Sequence, residues 1–143
     1  MSYTTAVKDR TLADIAARNS KAFFNVADWT RIKNNEQVTR NLAEILLSIS
    51  VSATAIGNVE TTDIPKASVL NTLLTNIENL RLAVASESIP GTDTEIKDDY
   101  TGGLSGTSPT WKDANLWEST IDAIWVYIHG MIYDNCPTLT VNL

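Results

Sequence analysis

Histidine and cysteine occur once each, as His129 and Cys136. A single cysteine excludes an intrachain disulfide framework. A single histidine excludes His-rich metal sites and the HExxH arrangement of metalloproteases. Basic residues are scarce as well: eleven Lys and Arg stand against seventeen Asp and Glu, a net charge of −6. Binding phosphate backbones needs clustered Lys and Arg, so this balance argues against a nucleic-acid partner. Long apolar runs are missing. The richest, Ile45 to Ile56, is broken by Ser48, Ser50, Ser52 and Thr54, whereas crossing a bilayer takes ~20 mainly apolar residues. Met1 to Arg10 is polar and lacks the apolar stretch of a secretory leader. The expectation is a chain made in the cytoplasm, with no membrane partner, no cofactor and no metal.

What is present fits one globular domain over residues 1–143, with 43% hydrophobic and 20% charged residues. The charge is uneven. Residues 1–40 hold seven basic residues (Lys8, Arg10, Arg18, Lys21, Arg31, Lys33 and Arg40) against four acidic ones, a net of +3, and residues 41–143 carry −9. Such asymmetry can steer association between copies, or it can be scattered charge on solvated helix faces.

Residues 1–10 read as an N-terminal arm. Thr11 with Asp14 three residues later suits a helix start, predicting a short helix to about Phe24. Asn25 to Asp28 reads as a turn, with Asp28 as the next N-cap. Trp29, Ile32, Val38, Leu42, Ile45, Leu46 and Ile49 follow at helical spacing, and this helix is expected to run to Gly57. Pro65 suits the first turn of another helix. Leu70, Leu73, Leu74, Ile77, Leu80 and Val84 form its apolar face, and Pro90-Gly91 ends it. Residues 90–109 are expected as a long loop. Lys112 and Asp113 open the last helix, whose stripe is Ala114, Trp117, Ile121, Ile124, Trp125 and Ile128, and which ends near Gly130 to Asp134. Pro137 blocks continuation. Residues 137–143 alternate as a strand does. The predicted fold is mainly α: a small bundle of three to four helices, with the 90–109 loop and a short C-terminal β-strand.

Three segments resemble one another: Asp28 through Val38, Val69 through Leu80, and Asp113 through Ile124. Each places a polar residue (Thr30, Asn71, Asn115) two before a large apolar one (Ile32, Leu73, Trp117). Similar helix starts can produce this, and so can a repeated helical unit. The strings Ala27-Asp28-Trp29-Thr30-Arg31-Ile32-Lys33-Asn34-Asn35, Pro65-Lys66-Ala67-Ser68-Val69-Leu70-Asn71 and Asp113-Ala114-Asn115-Leu116-Trp117-Glu118 resemble helical segments of bacteriophage tail and tail-fibre-associated proteins. The likeness covers about half the chain. It departs from the pattern at Lys33, where Glu is usual, and at Leu116, where Arg is. It implies a non-enzymatic structural protein of the virion, in the tail, baseplate or fibre attachment, assembled in the host cytoplasm and partnered by other virion proteins and by copies of itself. A helical adaptor or regulatory protein binding one intracellular partner is the alternative.

No complete catalytic motif accompanies these helices. His129 lies beside an apolar stripe and Cys136 lacks an activating context. Gly102-Gly103-Leu104-Ser105-Gly106 is neither a phosphate loop nor a nucleophile elbow. Asp93, Glu95, Asp98 and Asp99 lack EF-hand spacing. Glu118 and Asp122, four apart on one helix, are the only pairing suited to carboxylate chemistry, and an exposed helix face is the expected setting. The candidate interface residues are Trp29, Trp111, Trp117 and Trp125, with Leu139 and Val141 of the terminal strand. Core packing is the competing role for the tryptophans.

Overall fold

The computed structural model describes residues 2–22, 25–58, 66–102 and 104–135. Among them are four α-helices and no strand: α1 (Leu12–Ala17), α2 (Val26–Leu47), α3 (Ala67–Ala83) and α4 (Trp111–Asn135), with a 3₁₀ turn at Ala85–Glu87. The alternating segment 137–143 and residue Pro65 lie outside the described residues.

Local capping sets the helix ends. Thr11 and Asp14 form a reciprocal capping box, and Thr110 and Asp113 repeat it at the start of α4. Helix α1 stops at Ala17, well short of Phe24, because Arg18 adopts a left-handed conformation and its N–H closes back on the carbonyls of Asp14 and Ile15. Asp28 is not an N-cap. Asn25 caps α2 by accepting from the Asp28 N–H at 2.8 Å, which leaves the Asp28 carboxylate to face inward. Helix α2 ends at Leu47, ten residues before Gly57, with Ser48 left-handed at φ 53°. Glu44 then accepts from the Val51 N–H at 3.0 Å, so the backbone freed by the helix end is caught by an acid of the last turn.

Helices α2, α3 and α4 all point the same way. Trp29 and Ile32 of α2 cluster with Leu70 and Leu73 of α3 and with Ala114 and Trp117 of α4. Farther along each helix, Ala43 clusters with Leu80 and Val84 and with Ile124 and Ile128. Every return connection therefore runs antiparallel to the helices. Three straps fill the three grooves between them. Strap 1 (residues 2–11) lies between α4 and α2, strap 2 (51–58) between α2 and α3, and strap 3 (89–101) between α3 and α4. The 90–109 segment is thus no slack loop: Thr92 and Ile96 within it are buried. The glycine segment beyond it is closed by Thr101 and Thr107, each hydroxyl accepting the other's N–H at 3.0 Å. A Cβ at Gly106 would stand 2.1 Å from the Thr101 carbonyl oxygen, so only glycine fits.

A strap has no ladder partner, yet its backbone groups still need hydrogen bonds. Asparagines on the helices supply them, each binding both the N–H and the C=O of one strap residue. Asn35 holds Thr4 at 2.8 and 2.7 Å, and Asn76 holds Thr54 at 2.9 and 2.8 Å. Asn115 holds Arg10 at 3.1 and 3.0 Å, and Asn71 holds Tyr100 at 3.2 and 2.7 Å. Acids do the same singly: Val7, Val51 and Ile96 donate their N–H groups to Glu118, Glu44 and Glu78.

These contacts follow the sequence register of the three similar segments. Ile32, Leu73 and Trp117 are equivalent core positions. Three residues on stand Asn35, Asn76 and Thr120, and all six are buried. Two of these clamp a strap; Thr120 is too short to do so, and its buried hydroxyl has no partner. Asn71 and Asn115 are equivalent as well, with exposed Thr30 in the third place. The straps share a register too: Thr4, Thr54 and Thr94 each stand two before an apolar residue, Ala6, Ile56 and Ile96. The contacts thus follow the similarity of the three segments, and the shared register extends to the strap that precedes each helix.

Substituting Asn76→Ala removes both part-buried hydrogen bonds to the Thr54 backbone and is expected to cost about 1–3 kcal/mol. Asn79→Ala, which removes a single bond to Ser52 at an exposed position, is expected to cost under ~1 kcal/mol. Urea unfolding midpoints of the two variants measure the difference; equal losses would refute the clamp.

Candidate functional site

Two polar sites interrupt the apolar interior. The first closes the ring of helices. Arg10 of strap 1 and Arg31 of α2 meet Asp28 of α2 and Glu118 of α4. Arg31 forms a fork on Glu118, with Nε to Oε1 at 2.7 Å and Nη2 to Oε2 at 2.9 Å. Arg31 Nη2 also donates to Asp28 Oδ1 at 2.6 Å. Arg10 Nη2 stands 2.7 Å from Glu118 Oε2 and 3.1 Å from Asp28 Oδ1, and its Nη1 donates to the Val7 carbonyl at 2.6 Å. Arg10 and Glu118 are each 1% exposed. Two cations and two anions make the site neutral. Burial alone would lower the Arg31 pKa, but its bonds to Glu118 and Asp28 hold it above the ordinary guanidinium value.

This site overturns the expected exposed face for Glu118 and Asp122. Glu118 is fully engaged by two guanidiniums and one backbone N–H. Asp122 accepts from the Tyr3 hydroxyl at 2.8 Å and pairs with Lys8. Tyr3 is held protonated well above its ordinary range by burial and then by Asp122. The two carboxylates serve strap 1 rather than an open cleft.

The second site is a cleft of about 270 Å³ between α2 and strap 2, lined by Lys33, Glu36, Gln37, Arg40, residues 53–56 and Asn76. Glu36 stands where the repeat has Ile77 and Ile121, and Thr39 where it has Leu80 and Ile124. Helix α2 thus carries acid and hydroxyl where its equivalents carry isoleucine and leucine. Glu36 is 2% exposed, and desolvation raises its pKa despite the bond from Arg40 Nε at 2.8 Å. Lys33 spans the cleft's edge to Asn58 at 2.8 Å. The cleft offers a buried acid, an arginine and strap backbone, but no nucleophile beside a base.

Of the candidate interface residues, Trp29 and Trp117 spend their indoles in the core, 4% and 2% exposed, and cannot anchor a partner in this fold. Tyr100 meets Trp117 edge-on at 6.1 Å, its pKa pushed up to about 12 by burial and then by Asp113. Trp111 and Trp125 are half-buried. Trp125 stacks flat on Tyr3 at 4.5 Å and tilts against His129 at 5.0 Å. Leu139, Val141 and Cys136 lie outside the described residues. Asp93, Glu95, Asp98 and Asp99 are all exposed, and no group of three or more potential metal ligands assembles among the described residues. No helix among them is long and apolar enough to cross a membrane.

Five of the seven basic residues in the N-terminal quarter are turned to acids of the same chain. Lys8, Arg10, Lys21, Arg31 and Arg40 all pair with acids of the same chain. Asp28, Arg31 and Glu36 were not singled out by periodicity, because each borders an apolar stripe where a charge ordinarily marks the solvent edge, and Arg10 lies in the N-terminal arm, which has no helical period.

Removing one partner from the buried network leaves uncompensated charge, so Glu118→Ala is expected to lose about 3–5 kcal/mol. Lys8→Ala, at the exposed rim, is expected to lose no more than ~1 kcal/mol. Chemical denaturation compares them directly, and a mild E118A would show that the network is dispensable. Glu36 behaves oppositely with pH. Its folded-state pKa lies above the unfolded one, so its protonated form favours folding and that stability is lost as pH rises through the raised pKa. Glu36→Gln is therefore expected to match the parent in acid and exceed it toward neutral pH, read from denaturation midpoints across the range. A gap that widens toward acid would contradict this assignment.

Comparison with protein-family models, curated protein sequences and solved structures finds no match to this chain.

Proposed function

We propose that this chain is a non-enzymatic structural component of a bacteriophage virion, in the tail, baseplate or fibre attachment, acting by protein–protein docking. The observation that carries this reading is the triplicate strap-and-helix unit, whose polar side chains are consumed in holding backbone. Asparagines, acids and an arginine of the helices are bound to strap backbone: Asn35, Asn115 and Asn76, then Glu118 on the Val7 N–H and Arg81 on the Thr92 carbonyl. Such a framework is suited to carrying load between neighbours. The strings that resemble phage tail proteins overlap the three equivalent segments, so the resemblance falls at the starts of the helices that build the fold. Exposed Ile45, Leu82 and Val126 on the long helices supply apolar surface that neighbouring subunits would cover.

In lysates of cells producing the phage that encodes it, the chain is expected to band with intact particles on a density gradient and to stay with them through high salt. Recovery only in the free-protein fractions would overturn the virion reading and leave an intracellular adaptor.

A further inference from the structure

We propose that copies of this chain join by exchanging strap 1, so that residues 2–11 of one copy occupy the α4/α2 groove of another. Straps 2 and 3 each connect the two helices they lie between, so their grooves are filled by local chain. Strap 1 differs in topology. It lies between the first and last long helices and is continuous with α2 only, through residues 12–25. Everything holding it to α4 is non-covalent: Asn115 on the Arg10 backbone, Glu118 on the Val7 N–H and the Arg10 side chain, Asp122 on Tyr3 and Lys8, and Trp125 stacked on Tyr3. A second copy supplies the same contacts atom for atom, which is the condition for exchange of an identical element.

The groove also dictates its occupant. Without a strap it would hold the buried acids Asp28 and Glu118 against one cation, Arg31. It would also leave both strap-facing amides, on Asn35 and Asn115, without partners. A chain that restores neutrality must place a guanidinium six residues after the Asn35-clamped residue, as Arg10 follows Thr4. Strap 3 has Tyr100 at that place, and strap 2, over its residues 51–58, carries no basic residue at all. Neither neutralises the acids. Of the three described straps, strap 1 is the one that satisfies the groove, so exchange between copies is selective. Opening the buried network is the costly step, which makes exchange slow once folded and sets the partner during folding. This inference concerns how copies join, and it stands whether or not the chain is part of a virion.

The Lys8–Asp122 ion pair at the rim gives a direct readout on the full, unaltered chain, because a carbodiimide converts that contact into an amide while taking up the water released. Equal amounts of ¹⁵N-labelled and unlabelled protein are unfolded together, refolded at high and at low concentration, cross-linked and digested. The Lys8–Asp122 cross-linked peptide is then weighed. Exchange predicts pairs of mixed isotope, rising with refolding concentration toward about half of all pairs, the value for random partnering in closed or chained assemblies. Pairs of one isotope at every concentration would overturn the proposal. Failure to form the cross-link in either population would also overturn it, since strap 1 would then not lie on α4.

Discussion

The structure depends on one neutral knot of four charges. Arg10, Asp28, Arg31 and Glu118 come from strap 1, from α2 and from α4, and they close α4 onto the strap and helix at the other end of the described chain. Desolvating four charges costs several kcal/mol per ion, and the Coulombic return covers this only if geometry is good and the remaining sites are bonded. Here the fork of Arg31 on Glu118 and the bonds of Arg10 to Val7 and both acids meet the geometric part of that condition. Asp28 Oδ2 stays buried without a partner. The knot is therefore a device for register more than for net stability. It accepts one strap in one position, because sliding the strap by a residue would remove the guanidinium and leave two acids facing one cation.

Side-chain amides do for this fold what a sheet ladder does elsewhere. A strap lying in a groove between two helices cannot pair with helical backbone, whose groups are already used. An asparagine offers a donor and an acceptor on one rigid plane, which suits the N–H and C=O of a single strap residue. Placed on four of the six groove walls, it holds the strap without demanding a particular side chain from it. That freedom explains why straps so different in sequence, with Thr4, Thr54, Arg10 and Tyr100 at the clamped places, lie in the same way.

The apolar helices were legible before the structure. Leu70 to Val84 and Ala114 to Ile128 follow the 3.6-residue period, and the helices form there, α4 ending one residue beyond the expected limit. The shared spacing around Ile32, Leu73 and Trp117 was legible too, and it marks the repeat. The straps were not, because their hold comes from helix residues far away in sequence and leaves no local period. Gly57 looked like a helix end because the serine-rich run before it keeps enough apolar residues to imitate a stripe; Val51 and Ile56 are in fact strap residues packing inward. Glu118 looked exposed because it adjoins Trp117 on the stripe's border. Its partner Arg10 is more than a hundred residues away, and no spacing rule relates the two.

Helix α2 is where the repeat is broken, and the break has a consistent physical form. Its equivalents of Ile77 and Leu80 are Glu36 and Thr39, both buried, and Thr39 has an unpartnered hydroxyl. A repeat unit that kept isoleucine and leucine there would bury more apolar surface and gain stability. The acid is instead held with a raised pKa against Arg40, and beside it the wall between α2 and strap 2 opens into the polar cleft. Departures from a fold's own internal rule concentrate where something other than stability is served. In this chain the departures lie on the one helix that also contributes Asp28 and Arg31 to the knot. Helix α2 therefore gives up core for polar contact along most of its length, and α3 and α4 supply the apolar packing that makes this tolerable.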